Sequence, residues 1–167
     1  MKINRYTPHI IVLPEDRANE EIANGFIQAP NVNYNIIQVE RPAGGWTKVV
    51  DKFAEVHVPE MRIYSQRMIV LLIDFDERED RFSYVENQIP EDLKNRVFVL
   101  GVQSNPENLR KATKKSFEDI GEALAKDCSD NTNELWGHPL LEHNKTELER
   151  MILSVKPFLF NQSVTDY

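Results

Sequence analysis

The sequence predicts an α/β fold: a three-layer α/β/α domain around a central sheet of about four mainly parallel strands. Three observations predict it. Apolar segments alternate with helix-like ones in the order βαβαβαβα. The run Met68-Ile69-Val70-Leu71-Leu72-Ile73 is apolar without a break, as in a strand buried on both faces. The stretches between the apolar segments are long enough for the crossovers that parallel pairing requires.

His9 to Leu13 is the first strand. Asp16 suits the amino-terminal cap of a helix through Glu20, Ile22 and Phe26, which Pro30 and the Asn-rich stretch 31–33 break. Tyr34 to Val39 reads as a second strand, and Pro42-Ala43-Gly44-Gly45 as a turn. Val49, Val50, Phe53 and Val56 then recur at helical spacing, with Pro59 interrupting or ending that helix. The third strand is 68–73, with a helix from about Arg81 to Gln88 and a fourth strand from Arg96 to Val102 after it. Asn105-Pro106 starts a helix, since Asn caps and Pro suits the first helical position. Phe117, Ile120, Leu124 and Ala125 mark another helix, and Glu142 to Leu153 the last. Residues 1–160 form a single domain, and 161–167 read as a loosely ordered tail.

Composition narrows the function classes. At 167 residues the chain suits one domain that buries roughly 70% of its unfolded surface. An apolar fraction of 41% and a charged fraction of 28% are those of a soluble globular protein. No apolar run has the length of a membrane span, and the amino-terminal residues lack the apolar core of a signal peptide. Cys128 is the only cysteine, so no internal disulfide forms; a reducing, cytoplasmic setting is expected. The formal net charge of −7 argues against broad electrostatic attachment to nucleic acid or anionic lipid, but not against a phosphate group reached through bound metal. The basic run Arg110, Lys111, Lys114 and Lys115 reads as a solvated helix end, or else as a patch that contacts phosphate.

Ligands of α/β sheets bind at the carboxyl ends of the strands. The first strand delivers Glu15 and Asp16 there, and the third delivers Asp74 and Asp76. On an extended chain Asp74 and Asp76 project to the same side. If the first and third strands are neighbours, Glu15 faces the pair, and a cation would relieve the repulsion. Such an oxygen set suits Mg²⁺ or Mn²⁺. The plain alternative is that these carboxylates cap helices. Ser104 and Asn105 at the end of the fourth strand, Lys111 in the basic run and His138 in Trp136-Gly137-His138-Pro139 are further candidates for contact with substrate. That tetrapeptide otherwise packs a loop, and Gly44-Gly45-Trp46 reads as a tight turn before a helix or else as a helix start that cradles phosphate.

With a glutamate after the first strand and an Asp-x-Asp pair after the third, the chain resembles the Toprim fold over roughly residues 8–113. That fold is the metal-binding core of topoisomerases, primases and overcoming-lysogenization-defect nucleases. The chain is also similar to a small stand-alone bacterial family with a Toprim-like core, whose genes often lie near ATPases. The resemblance implies Glu15 as general acid/base or metal ligand, and Asp74 and Asp76 as ligands of Mg²⁺. It implies chemistry on a phosphodiester, with nucleic acid as the substrate class and an ATPase as a possible partner. Where the family motif places a glycine after the glutamate, this chain has Asp16, and Glu77, Arg78 and Glu79 come after the aspartate pair. An inactive interaction module is therefore the alternative. Phosphatases and nucleotidyl or sugar-nucleotide transferases also use Asp-x-Asp.

Overall fold

In the computed structural model, which describes residues 3–161, four strands pair in parallel. They are β1 (His9–Pro14), β2 (Ile37–Val39), β3 (Arg67–Leu72) and β4 (Val97–Leu100), in the order β2-β1-β3-β4. The α/β expectation holds, and β1 and β3 are neighbours in register, Ile11 opposite Ile69 and Pro14 opposite Leu72.

Alternation along the strands divides the core in two. Ile10, Val12, Val70, Phe98 and Leu100 face one layer, made by α1 (Arg17–Ile27), α5 (Pro106–Thr113), α6 (Phe117–Asp130) and α7 (Lys145–Leu159). Ile11, Leu13, Ile69, Leu71, Val97 and Val99 face the other, made by α2 (Trp46–Lys52), α3 (Val58–Ile63) and α4 (Glu79–Asn87). Strands apolar on both faces demand this double cover.

The structure corrects several expectations. The second strand is only Ile37–Val39; Tyr34–Ile36 forms a 3₁₀ turn because the Asn33 side chain accepts the Asn35 N–H and starts it. Of the two readings of Pro59, interruption holds: the helix does not end there. The turn Phe53–His57 widens to π geometry just before it, and the helix continues to Ile63. That wider turn accommodates a residue that has no N–H and whose ring crowds the preceding carbonyl. Val56, on the expected apolar face, is instead exposed. The fourth strand is shorter than 96–102, because Arg96 belongs to a 3₁₀ turn and donates to the Tyr64, Arg67 and Met61 carbonyls. The last helix runs beyond Leu153 to Leu159. Asn161, in the expected loose tail, donates its N–H to Asn31 O; 162–167 lie outside the described residues.

Two features fix α1, which carries part of the site. Asp16 caps it, its Oδ1 accepting the Asn19 N–H at 3.0 Å. Glycines then let α1 and α6 meet backbone to backbone: a Cβ at Gly25 would lie 2.1 Å from Glu118 O, and one at Gly121 1.9 Å from Ile22 O. Gly121→Ala should therefore lower stability by about 2–3 kcal/mol, a fall in melting temperature of at least about 4 °C. Thermal denaturation monitored by circular dichroism measures it, and an unchanged midpoint contradicts this helix contact.

Candidate metal centre

Parallel pairing carries the chain beyond β1 and β3 to the same edge of the sheet. Glu15 N–H still bonds Leu72 O at 2.9 Å, and Ile73 N–H bonds Leu100 O at 3.0 Å. Ladder hydrogen bonds thus hold the backbone on both sides of the edge. The Glu15 side chain reaches across it, and its Oε1 accepts the Asp74 N–H at 2.9 Å.

Glu15, Asp16 and Asp74 each offer a carboxylate oxygen, and the three oxygens lie within 4.8 Å of one another. Asn19 ties the group together: its Nδ2 donates to Asp74 Oδ1 at 2.8 Å and to Asp16 Oδ1 at 3.0 Å. Asn19 is fully buried, and its Oδ1 has no hydrogen-bond partner. Asp16 thus caps α1 and belongs to the cluster as well.

This crowding sets the electrostatics. Burial pushes the Asp74 carboxyl up to about 7, helped by the charges of Asp16 and Glu15 and opposed by the Asn19 hydrogen bond. Burial also raises Glu15, with the neighbouring aspartates adding to the effect, while the Asp74 N–H and the Arg81 charge oppose it. The group thus favours a proton on Asp74, and a cation would relieve the same repulsion. All three donors are hard carboxylate oxygens, a set that fits Mg²⁺ or Mn²⁺.

Of the residues singled out from the sequence, the structure brings Glu15 and Asp74 together and leaves Asp76 apart. The expected projection of Asp74 and Asp76 to one side requires an extended chain. Instead Asp76 (φ +51°) and Glu77 (φ +58°) are left-handed, turning the chain after Phe75. The Asp76 side chain is 69% exposed and lies 4.0 Å from Arg81 Nη2.

The polar groups expected to contact substrate are mostly engaged locally. Ser104 is buried, its Oγ accepting from Asn108 Nδ2. Asn105 caps α5 through Asn108 N–H. Lys111 is exposed in the last turn of α5. His138 Nδ1 accepts the Leu140 N–H within its own loop. The buried Asp127 carboxylate anchors that loop by accepting from Thr132 Oγ1 and the Glu134, Leu135 and Trp136 amides. Burial pushes the Cys128 thiol up to about 12, which leaves it no nucleophile.

Two neighbours leave no signal in the sequence. Asn19 is an ordinary helix residue until α1 is docked. Arg81 reaches from α4, its Nη1 donating to Asp74 O and its guanidinium 4.7 Å from the centre of the Trp46 ring. Trp46 is brought there by the turn before it, whose Gly44 N–H bonds Glu15 O at 2.9 Å.

Compared with known proteins, the chain matches no protein-family model, no curated protein and no solved structure. Among the described residues, no helix is long and apolar enough to cross a membrane.

The raised Asp74 fixes the sign of a pH effect. Its folded-state pKa, about 7, lies above the ordinary aspartate value of 3.8, so the fold favours the protonated acid. Its contribution is complete below about pH 4 and is lost as pH rises through about 7. In chelator, the Asp74 contribution to wild-type stability should fall between about pH 5 and about pH 8. Asp74→Asn should remove on the order of 1 kcal/mol of that fall, after discounting for solvent screening, or about 2–4 °C. Melting curves at both pH values test this, and parallel wild-type and variant curves contradict it.

Proposed function

We propose that this protein is a Toprim-like domain that binds Mg²⁺ or Mn²⁺ and acts on a phosphodiester of nucleic acid. The observation that carries the reading is the convergence of Glu15, Asp16 and Asp74 at the carboxyl edge of a parallel sheet, with Asn19 Nδ2 bridging the two aspartates. Glu15, Asp16 and Asp74 would hold the metal, with Asn19 Nδ2 fixing the two aspartates. The metal would supply charge stabilisation to phosphate oxygens and a more acidic water. Burial raises the Glu15 carboxyl from its ordinary value, which favours a role for it in proton transfer. The parallel strand order, and the position of Glu15 beside the residues after β3, support the Toprim resemblance.

A second reading is an interaction module without catalysis, which docks on a partner such as the ATPase that the resemblance suggests. Asp76 favours it, since the second carboxylate of the Asp-x-Asp pair stands outside the cluster.

Calorimetric titration with Mn²⁺ should give a saturable heat in the wild type and at least a roughly tenfold weaker affinity in Asp74→Asn. No heat in either protein, or equal affinities, overturns the metal site. With Mn²⁺ present, cleavage of DNA or RNA that Glu15→Gln reduces at least about a hundredfold supports the enzyme. Metal binding without cleavage leaves the interaction module.

A further inference from the structure

Arg81 is a half-buried cation only partly used. Its side chain is 12% exposed, and Trp46 stacks on the guanidinium 4.7 Å away. The group is always charged and carries five N–H donors. Nη1 directs one of them to Asp74 O. Nη2 reaches the Asp76 carboxylate only at 4.0 Å, too far for a hydrogen bond. Nε is shielded from water and has no partner. Hiding an unpaired N–H of a charged group is costly.

Nε and Nη2 share one edge of the guanidinium, the edge that grips carboxylate or phosphate through two parallel N–H···O bonds. That edge is the unpaired part of Arg81, and Nε has to be uncovered before a ligand reaches it. The other end of the guanidinium, Nη1, bonds the Asp74 carbonyl, and its charge acts on Glu15, so Arg81 as a whole neighbours the carboxylate cluster. Three carboxylates repel a simple anion. A phosphoryl group has more oxygens than the Arg81 edge can engage, and the remainder can face a cation held by the cluster.

We propose that the Nε–Nη2 edge of Arg81 is a binding subsite for a phosphoryl oxyanion, and that the Asp76 carboxylate competes with the ligand for it. This deepens the function proposed above and rests on it for the joint use of metal and Arg81 on one phosphate. It also assigns Asp76 a role outside the metal cluster: exposed and in a left-handed turn, Asp76 can swing off Arg81 when a phosphate arrives. Trp46 is a positioning residue, holding the guanidinium plane against the site by its ring face.

The test is a calorimetric titration with inorganic phosphate in the presence of Mg²⁺, which relieves the carboxylate repulsion, repeated in EDTA to read the Arg81 contact alone. Asp76→Asn should bind phosphate several-fold more tightly than wild type. Adding Arg81→Gln to that variant should weaken binding at least about tenfold, and adding Arg81→Lys, which keeps the charge but loses the fork, should weaken it by a smaller factor. Far-UV circular dichroism checks that each variant is folded. Equal affinities with and without Arg81, or no gain in Asp76→Asn, overturn the subsite. The Mn²⁺ titration without phosphate is judged separately. Manganese binding without phosphate binding removes the Arg81 subsite alone, and phosphate binding without manganese binding removes the metal centre alone.

Discussion

The parallel pairing of β1 with β3 is the constraint on which the site depends. Neighbouring strands that run the same way end on the same edge, so the residues after Pro14 must lie beside those after Leu72. In this chain both continuations are acidic. Three carboxylate oxygens within 4.8 Å would force the strand ends apart if nothing answered their charge. The answer is built from dipoles and one cation. The Asp74 amide goes to Glu15, the Asn19 amide spans Asp16 and Asp74, and Arg81 stands behind the Asp74 carbonyl. The result is a carboxyl at Asp74 that burial and its acidic neighbours hold near neutrality.

A cluster under that repulsion needs a frame that does not yield. The outer edge of β4 is covered by side chains at the start of α7 and the residue before it. Asn144 bonds both the N–H and the carbonyl of Gly101, Glu147 accepts the Val99 N–H, and Arg150 donates to Val97 O. Spaced three residues apart, they lie on one face of the turn and helix and stand in for a fifth strand. The loop before them is pinned by the Asp127 carboxylate and by Trp136 Nε1 on Leu124 O. On the other side of the cluster, the glycine contacts of α1 with α6 fix the helix that supplies Asp16 and Asn19. The charged edge is therefore held from α1 on one flank and from α7, through β4, on the other.

Each part of this arrangement is legible in the sequence to the extent that it leaves a linear signal. β1, β3 and β4 are apolar on both faces and read as unbroken runs, and the caps of α1 and α5 read from Asp16 and Asn105-Pro106. β2 reads too long because Tyr34, Asn35 and Ile36 look like a strand, while the Asn33 side chain turns them into a 3₁₀ segment. Pro59 marks a break in helix geometry, but the π turn that absorbs it has no mark of its own. Glu15 and Asp74 are legible because strand ends are. Asn19 and Arg81 are not, since each joins the site only through the docking of a helix. Ser104 and Asn105 lie at the expected edge, yet their polar atoms serve α5.

At Asp76, residue spacing ceases to predict direction. Two residues apart on a strand means the same face only while the chain stays extended. Here the ladder continues past Ile73, with Phe75 N–H on Val102 O, Asp76 N–H on Ser104 O and Glu77 N–H on Gln103 O. The last two bonds require the chain to turn, and it does so through left-handed residues at 76 and 77, a conformation aspartate tolerates better than most residues. The backbone, and not the carboxylate, decides where Asp76 points. Its expected place beside Asp74 is filled from α1, by the cap residue Asp16 and by Asn19 one turn later. Asp-x-Asp after an apolar strand thus identifies the edge at which a site forms, while the neighbouring helix determines which oxygens complete it.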